Sequence, residues 1–192
     1  MLTNKEKELI SEIRSGNTMA FSDFVDRYKD LVFTLSIRML GSREEAEEVS
    51  QDIFIKIYKS LPKFKGDSKI STWIYRIAYN SCLDRIKKMK KTRIQTDLGH
   101  LEQIAYAEMD TALDRMVREE RQELISRCLA MLSAEDAGIL TLFYFEEKNL
   151  QELEESTNLS VNTLKVRLFR ARKKLANIME KHLTKEILLN HE

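Results

Sequence analysis

Between Leu150 and Lys174 two helices and the turn that joins them are written into the order of the residues, and this segment constrains the fold more than any other. Asn149, with Glu152 three residues on, can cap a first helix, because a side-chain oxygen there satisfies a backbone N–H that every helix start leaves unpaired. Asn158 stands at the turn, where a residue tolerating positive φ is needed, and Ser160 can cap a second helix. That second helix carries Val161, Leu164, Leu168, Ala171 and Leu175 on one stripe and leaves Asn162, Thr163, Lys165, Arg167, Arg170 and Lys173 outside. The pattern is a helix-turn-helix.

A Lys/Arg-rich outer face on an amphipathic helix is usually only a solvated face. The order of residues here argues for more. Small polar groups come first, where a recognition helix meets base edges, and Arg and Lys follow, where phosphates run alongside. The segment is therefore read as a DNA-binding element.

The remainder of the chain offers few ways to be anything but helical. Its 192 residues include one proline and five glycines, and a third of them are charged, which predicts an all-α protein of one or two small domains. The apolar runs are too short to span a bilayer and the start has no apolar signal core, so no membrane insertion and a cytoplasmic location are expected. Cys82 and Cys128 each fall in an apolar helical pattern and are read as buried free thiols. His100, His182 and His191 lack ligand spacing, so neither a metal nor a cofactor is expected.

A net charge of +1 conceals a strong segregation. From Lys65 to Arg93 basic residues dominate, from Asp97 to Glu123 acidic ones do, and after Ser160 the chain is basic again. Two basic blocks separated by an acidic one suggest two nucleic-acid contacts on one polypeptide. The helix signals divide the chain in the same way. Thr3 with Glu6 opens a short helix ended by Gly16; a second runs to Gly41, a third from Ser42 to about Ser60, and a fourth from about Ser71 to Lys91, after the break at Pro62 and Gly66. Residues 1–92 are read as one domain, 93–108 as a linker and 109–192 as a second domain that includes a cap at Ser133.

Two stretches of the first domain carry chemistry. In EEAEEVSQDIFIKIYKSL, Ala46, Val49, Ile53 and Ile57 form the inward face, leaving Phe54, Ile55 and Tyr58 beside Glu48, Gln51 and Asp52. Aromatic residues flanked by acids suit a basic protein partner, or else a helix packed on both sides within a bundle. In FKGDSKISTWIYRIAYNSCLDRIKK, Phe64, Trp73, Tyr75 and Tyr79 lie among Lys65, Lys69, Arg76 and Arg85, with Asn80 as a planar amide. Basic charge with aromatic faces and amides is how single strands are held, although Trp73 also fits a core position.

SDFVDRYKDLVFTLSIRMLG, the two stretches just quoted and LSVNTLKVRLFRARKKL together resemble the two domains of bacterial RNA polymerase sigma factors of the extracytoplasmic function group, over about Ala20 to Leu183. The resemblance implies a non-enzymatic factor that joins core polymerase, directs it to promoters and helps open them. It implies that Glu48, Gln51, Asp52, Phe54, Tyr58 and Leu61 bind the polymerase β′ clamp helices. It implies that Phe64, Lys65, Gly66, Asp67, Ser68, Arg76 and Asn80 hold the −10 element, with a base flipped into a pocket. Ser160, Asn162, Thr163, Lys165, Arg167, Arg170 and Lys173 are then the readers of the −35 duplex. The implied partners are core polymerase through its β′ and β subunits, promoter DNA and an anti-sigma factor.

Glu154 and Thr157 stand where that family usually has a small alanine and a larger apolar residue, and Asn162 replaces a usual glycine. A free-standing helix-turn-helix regulator is the alternative reading; it accounts for the C-terminal motif but not for FKGDSKISTWIYRIAYN. A helical adaptor that binds only proteins is disfavoured by the two basic blocks.

Overall fold

The computed structural model describes residues 2–93 and 124–189, and among these every regular element is helical. In chain order they are α1 (Asn4–Arg14), α2 (Thr18–Leu40), α3 (Arg43–Ser60), a 3-10 turn (Leu61–Lys63) and α4 (Ile70–Arg93). A second set comprises α5 (124–130), α6 (Ala134–Leu140), α7 (Leu150–Thr157) and α8 (Val161–Leu189), with α6 widening into a π-type turn at Thr141–Phe145.

The helix boundaries follow from local chemistry. Thr3 accepts the Glu6 N–H while the Glu6 carboxylate accepts the Thr3 N–H at 2.7 Å, a reciprocal box repeated at Asn149 and Glu152 with both bonds at 3.0 Å. Ser42 and Ser133 cap α3 and α6 by accepting from Glu45 N and Asp136 N. Asn17, not singled out from the sequence, caps α2 through both Met19 N and Ala20 N. Gly41 ends α2 at φ +69° and Asn158 ends α7 at φ +59°, each in the left-handed conformation that closes a helix.

Ala46, Val49, Ile53 and Ile57 are the buried face of α3, as the spacing predicts. They meet α2 through Phe24, Val32 and Leu35, and α4 through Ile74 and Ala78, in one close-packed interior. Helix α1 closes one end with Ile10 and Ile13, and its Arg14 donates to the backbone carbonyls of Leu61 and Phe64. The N-terminal helix, which lies before the stretch resembling sigma factors, thus holds the loop that leads into α4. Cys82 and Cys128 are buried and unbridged; burial pushes the Cys82 thiol up to about 11, with Ser36 and Lys56 opposing more weakly.

The sequence divides the helices into two sets without stating how they pack. In the structure α7 lies against α4 and α6 against α2, and the buried residues of both sets belong to one cluster. The segment read as linker and the start of the second set at Met109 fall outside the described residues, save Arg93, which closes α4.

Ile53→Ala removes a fully buried side chain from the centre of the first set, and is expected to cost about 2–4 kcal/mol in urea unfolding. Ile55→Ala on the same helix, 51% exposed, should change stability by no more than about 0.5 kcal/mol.

Candidate nucleic-acid interface

Three surfaces carry the residues singled out from the sequence. On the outer face of α3, Glu48, Gln51, Asp52, Ile55 and Tyr58 are exposed while Phe54 is half-buried. Tyr58 is held edge-on against Phe21 of α2, with ring centroids 4.8 Å apart, so the aromatic part of this surface is pre-positioned. Leu61 is fully buried at the start of the 3-10 turn, at the end of this surface. Arg85 of α4 grips the acids of α3, pairing with Glu45 and with Glu48, whose Oε1 accepts from Arg85 Nη1 at 2.9 Å. These hydrogen bonds to two carboxylates raise the pKa of Arg85.

The second surface is a groove of ≈ 490 Å³ between α3 and α4. Asn80 and Arg76 stand on its α4 wall, and Lys56, Lys59 and Ser60 on its α3 wall. Asn80 Nδ2 donates to the Arg76 carbonyl at 2.8 Å, which fixes the amide and leaves its oxygen as an acceptor. Lys56 Nζ donates to Ser81 Oγ at 2.9 Å and tethers the two walls. Trp73 lies partly buried at the end of the groove, its ring 4.9 Å from that of Phe64. Phe64 is 7% exposed and packs against Trp73. Lys65 and Asp67 are exposed beside Gly66, whose φ of +80° turns the loop, and Ser68 is half-buried.

Lys56, Lys59 and Ser60 were not among the residues selected for this site. They belong to a different helix from Asn80, and only the crossing of α3 and α4 brings them opposite it. One signal was present: α3 changes from acidic to basic in its last turns, from Lys56.

The third surface is the start of α8. Ser160 Oγ accepts from Thr163 N at 3.3 Å and lies 2.9 Å from Thr163 Oγ1. Glu154 Oε1 accepts from Val161 N at 3.1 Å, so the carboxylate that departs from the family's small residue satisfies the first unpaired N–H of α8. Thr157 Oγ1 donates to Leu153 O at 2.7 Å, meeting the polar demand of a residue placed where an apolar one is common. Leu164, Leu168 and Ala171 are buried, while Asn162, Thr163, Lys165, Arg170 and Lys173 are exposed. Arg167 is half-buried, close enough for its charge to act on Tyr79, whose phenol burial pushes up to about 12. Lys174 is anchored to the buried Asp136 at 2.8 Å, which fixes the helix against α6. Val166 and Phe169 are exposed apolar side chains beside the basic row, another feature the sequence reading did not single out.

Comparison with known proteins identifies the family. The family described as Sigma-70 region 2 matches residues 24–92, and that described as Sigma-70, region 4 matches residues 122–175. The ECF RNA polymerase sigma factor SigW of Bacillus subtilis (strain 168) is 35% identical over 88% of this chain and 94% of that protein. The ECF RNA polymerase sigma-E factor of Escherichia coli (strain K12) is 28% identical over 90% of this chain and 93% of its own length. Among solved structures, the sigma factor RpoE in complex with the anti-sigma factor NepR from Bartonella quintana shares the fold, with a TM-score of 0.70 and 19% identity over 83% of this chain and 96% of that one. CnrH in complex with the cytosolic domain of CnrY does so with a TM-score of 0.62 and 21% identity over 90% and 96%. Sigma-70 regions 2 and 4 on one chain are those of a transcription initiation factor. This chain belongs to the ECF sigma factors of the sigma-70 family.

Arg85→Ala should strip the α3 acids of their partner and lower stability by about 1–3 kcal/mol. The Glu48 share is small, since its side chain is 56% exposed. A double-mutant cycle in urea with Glu45→Gln should recover most of the coupling.

Proposed function

We propose that this chain uses the three surfaces as a sigma factor in which α3 docks on core RNA polymerase, the α3–α4 groove holds the melted −10 element and α8 reads the −35 duplex. The observation that carries the reading is the groove. A fixed amide acceptor at Asn80, the cations of Arg76, Lys56 and Lys59 and the edge of Trp73 converge on a cavity large enough for one base. Bases released from a duplex are held by such stacking and amide hydrogen bonds, while cations track the phosphates. The capped start of α8 supplies the complementary duplex reader, with Asn162, Thr163 and Lys165 toward base edges and Arg170 and Lys173 along the backbone.

On α3, Gln51, Asp52, Ile55 and Tyr58 form a surface of apolar anchors rimmed by acid, suited to a basic helical partner such as the β′ clamp helices. No described helix is long and apolar enough to cross a membrane. The factor acts where the polymerase is, in the cytoplasm. Its chemistry is recognition only, with no catalytic step of its own, and an anti-sigma factor is its expected regulator.

Transcription reconstituted from core polymerase and the purified chain should start at defined sites. Asn80→Ala should slow opening of duplex promoters severalfold without weakening core binding, and a template already mismatched across the −10 region should restore most of the loss, because the unpairing cost of a few kcal/mol has been met in advance. Equal opening by variant and parent on duplex templates would remove the groove from this role.

Arg170→Ala and Lys173→Ala should weaken binding of −35 duplex about equally for all sequences, each lowering the salt-dependence slope by about 1. Substitutions at Asn162 or Lys165 should instead change which sequence is preferred, as read by selection from a randomised duplex.

A further inference from the structure

The loop from Phe64 to Ser68 has little of its own to hold it in shape. None of Lys65, Gly66, Asp67 and Ser68 makes a hydrogen bond to another described residue. Lys65 and Asp67 are exposed, and the chain bends between them at Gly66, φ +80°. The 3-10 turn ahead of the loop supplies one bond, from Phe64 N to Leu61 O at 3.1 Å, and Pro62 has no N–H with which to add another. A segment so lightly tied would have to be ordered by its ligand, and that ordering would be subtracted from binding.

What holds the loop comes from α1. Arg14, in the last turn of that helix, donates from a single nitrogen, Nη2, to the carbonyls of Leu61 and Phe64, the residue that opens the 3-10 turn and the residue that follows it. Bonds from a cation are stronger than those between neutral groups, and the rigid plane of the guanidinium fixes their directions. Leu2, just ahead of α1, reaches the bend itself: a Cβ on Gly66 would stand 3.2 Å from Leu2 Cδ1. Helix α1 is in turn seated firmly on α2. Ile10 and Ile13 are buried, and burial, then the Glu6 carboxylate, raise the pKa of the Tyr28 phenol on α2. Glu12 ties down the other end by accepting from Asn17 Nδ2 at 3.4 Å.

The two carbonyls bracket the passage from one wall of the groove to the other. Ser60, immediately before the turn, lines the α3 wall, and Phe64, immediately after it, packs its ring 4.9 Å from that of Trp73 on the α4 side. We propose that α1 is a positioning element for recognition of the melted −10 element, with Arg14, itself touching no base, holding the loop Phe64–Ser68 in the conformation that meets the groove. The proposal rests on the reading of this loop and groove as the −10 contact. Because Arg14 grips backbone, its hold does not depend on which side chains the loop carries. Its effect falls on selectivity: a loosened loop adapts to a wrong base at little cost, and a fixed one does not.

The test uses the full chain with core polymerase and a promoter library randomised across the −10 region, sequenced after selection for open complexes. Arg14→Ala should lower the ratio of the preferred base to the runner-up at the most selective position about fivefold, the factor that one hydrogen bond of typical net strength represents. Core binding and the binding of −35 duplex should be unchanged. Loss of folded protein alone scales all promoters equally and leaves that ratio where it was. Should Arg14→Ala lose helicity, Leu2→Ala, which removes the contact at Gly66 and leaves the two carbonyls their partner, decides in its place, with the same direction of change. Asp67→Ala, in the loop itself, tests the underlying reading. A ratio shifted by Asp67→Ala but not by the α1 variant overturns the positioning role alone. A ratio moved by neither overturns the loop as a −10 contact, and the proposal with it. A salt-dependence slope of promoter binding lowered by about 1 in Arg14→Ala identifies a phosphate contact and overturns the positioning role.

Discussion

Helix α4 is buried from two sides, and the rest of the molecule is arranged by that burial. Ile74, Ala78 and Cys82 are fully inaccessible within the bundle of α2 and α3, and Tyr75 and Tyr79 are equally covered where the second helical set approaches. Each large side chain so enclosed contributes about 1.5–3 kcal/mol from apolar burial. The helix then has little freedom to shift or rotate, and the side chains left on its edges, Arg76 and Asn80, are held in fixed positions above the groove. Recognition of an unstacked base needs that rigidity, because a loose pocket would spend its binding energy on ordering itself.

Charge is organised around the same helix. The i,i+3 and i,i+4 pairs Lys29–Asp26 and Arg43–Glu47 lie on exposed surface and contribute little. The pairs that tie elements together are different: Arg85 with Glu45 and Glu48 joins α4 to α3, Lys69 with Glu152 joins the loop before α4 to α7, and Lys174 with Asp136 joins α8 to α6. Each has at least one partner largely shielded from water, which strengthens the attraction and makes the geometry directional. The segregation of acid and base along the chain, which nearly cancels in the net charge, thus reappears as a set of joints between helices.

The same residues serve both packing and recognition, so the two compete. Lys69 and Trp73 belong to the surface read as the −10 contact, and they also meet the second helical set. In this chain the acidic helix α7 lies against α4.

What the sequence determined by itself were features whose cause lies within one or two helical turns, although the cap at Asn17 was passed over. The caps at Thr3, Ser42, Ser133, Asn149 and Ser160, the left-handed residue at Asn158 and the buried stripes of α3 and α8 needed only neighbours three or four positions away, and the spacing that encodes them is the spacing that forms them. The family was legible for the same reason, since its motifs are runs of adjacent residues. Tertiary structure alone decided that Lys56 and Lys59 face Asn80, that Leu61 and Phe64 are buried, and that Gly138 admits α6 against Met39 and Tyr79. Those facts depend on which helices cross and how closely, and a crossing is settled by the summed fit of many side chains distant in sequence, which no local period records.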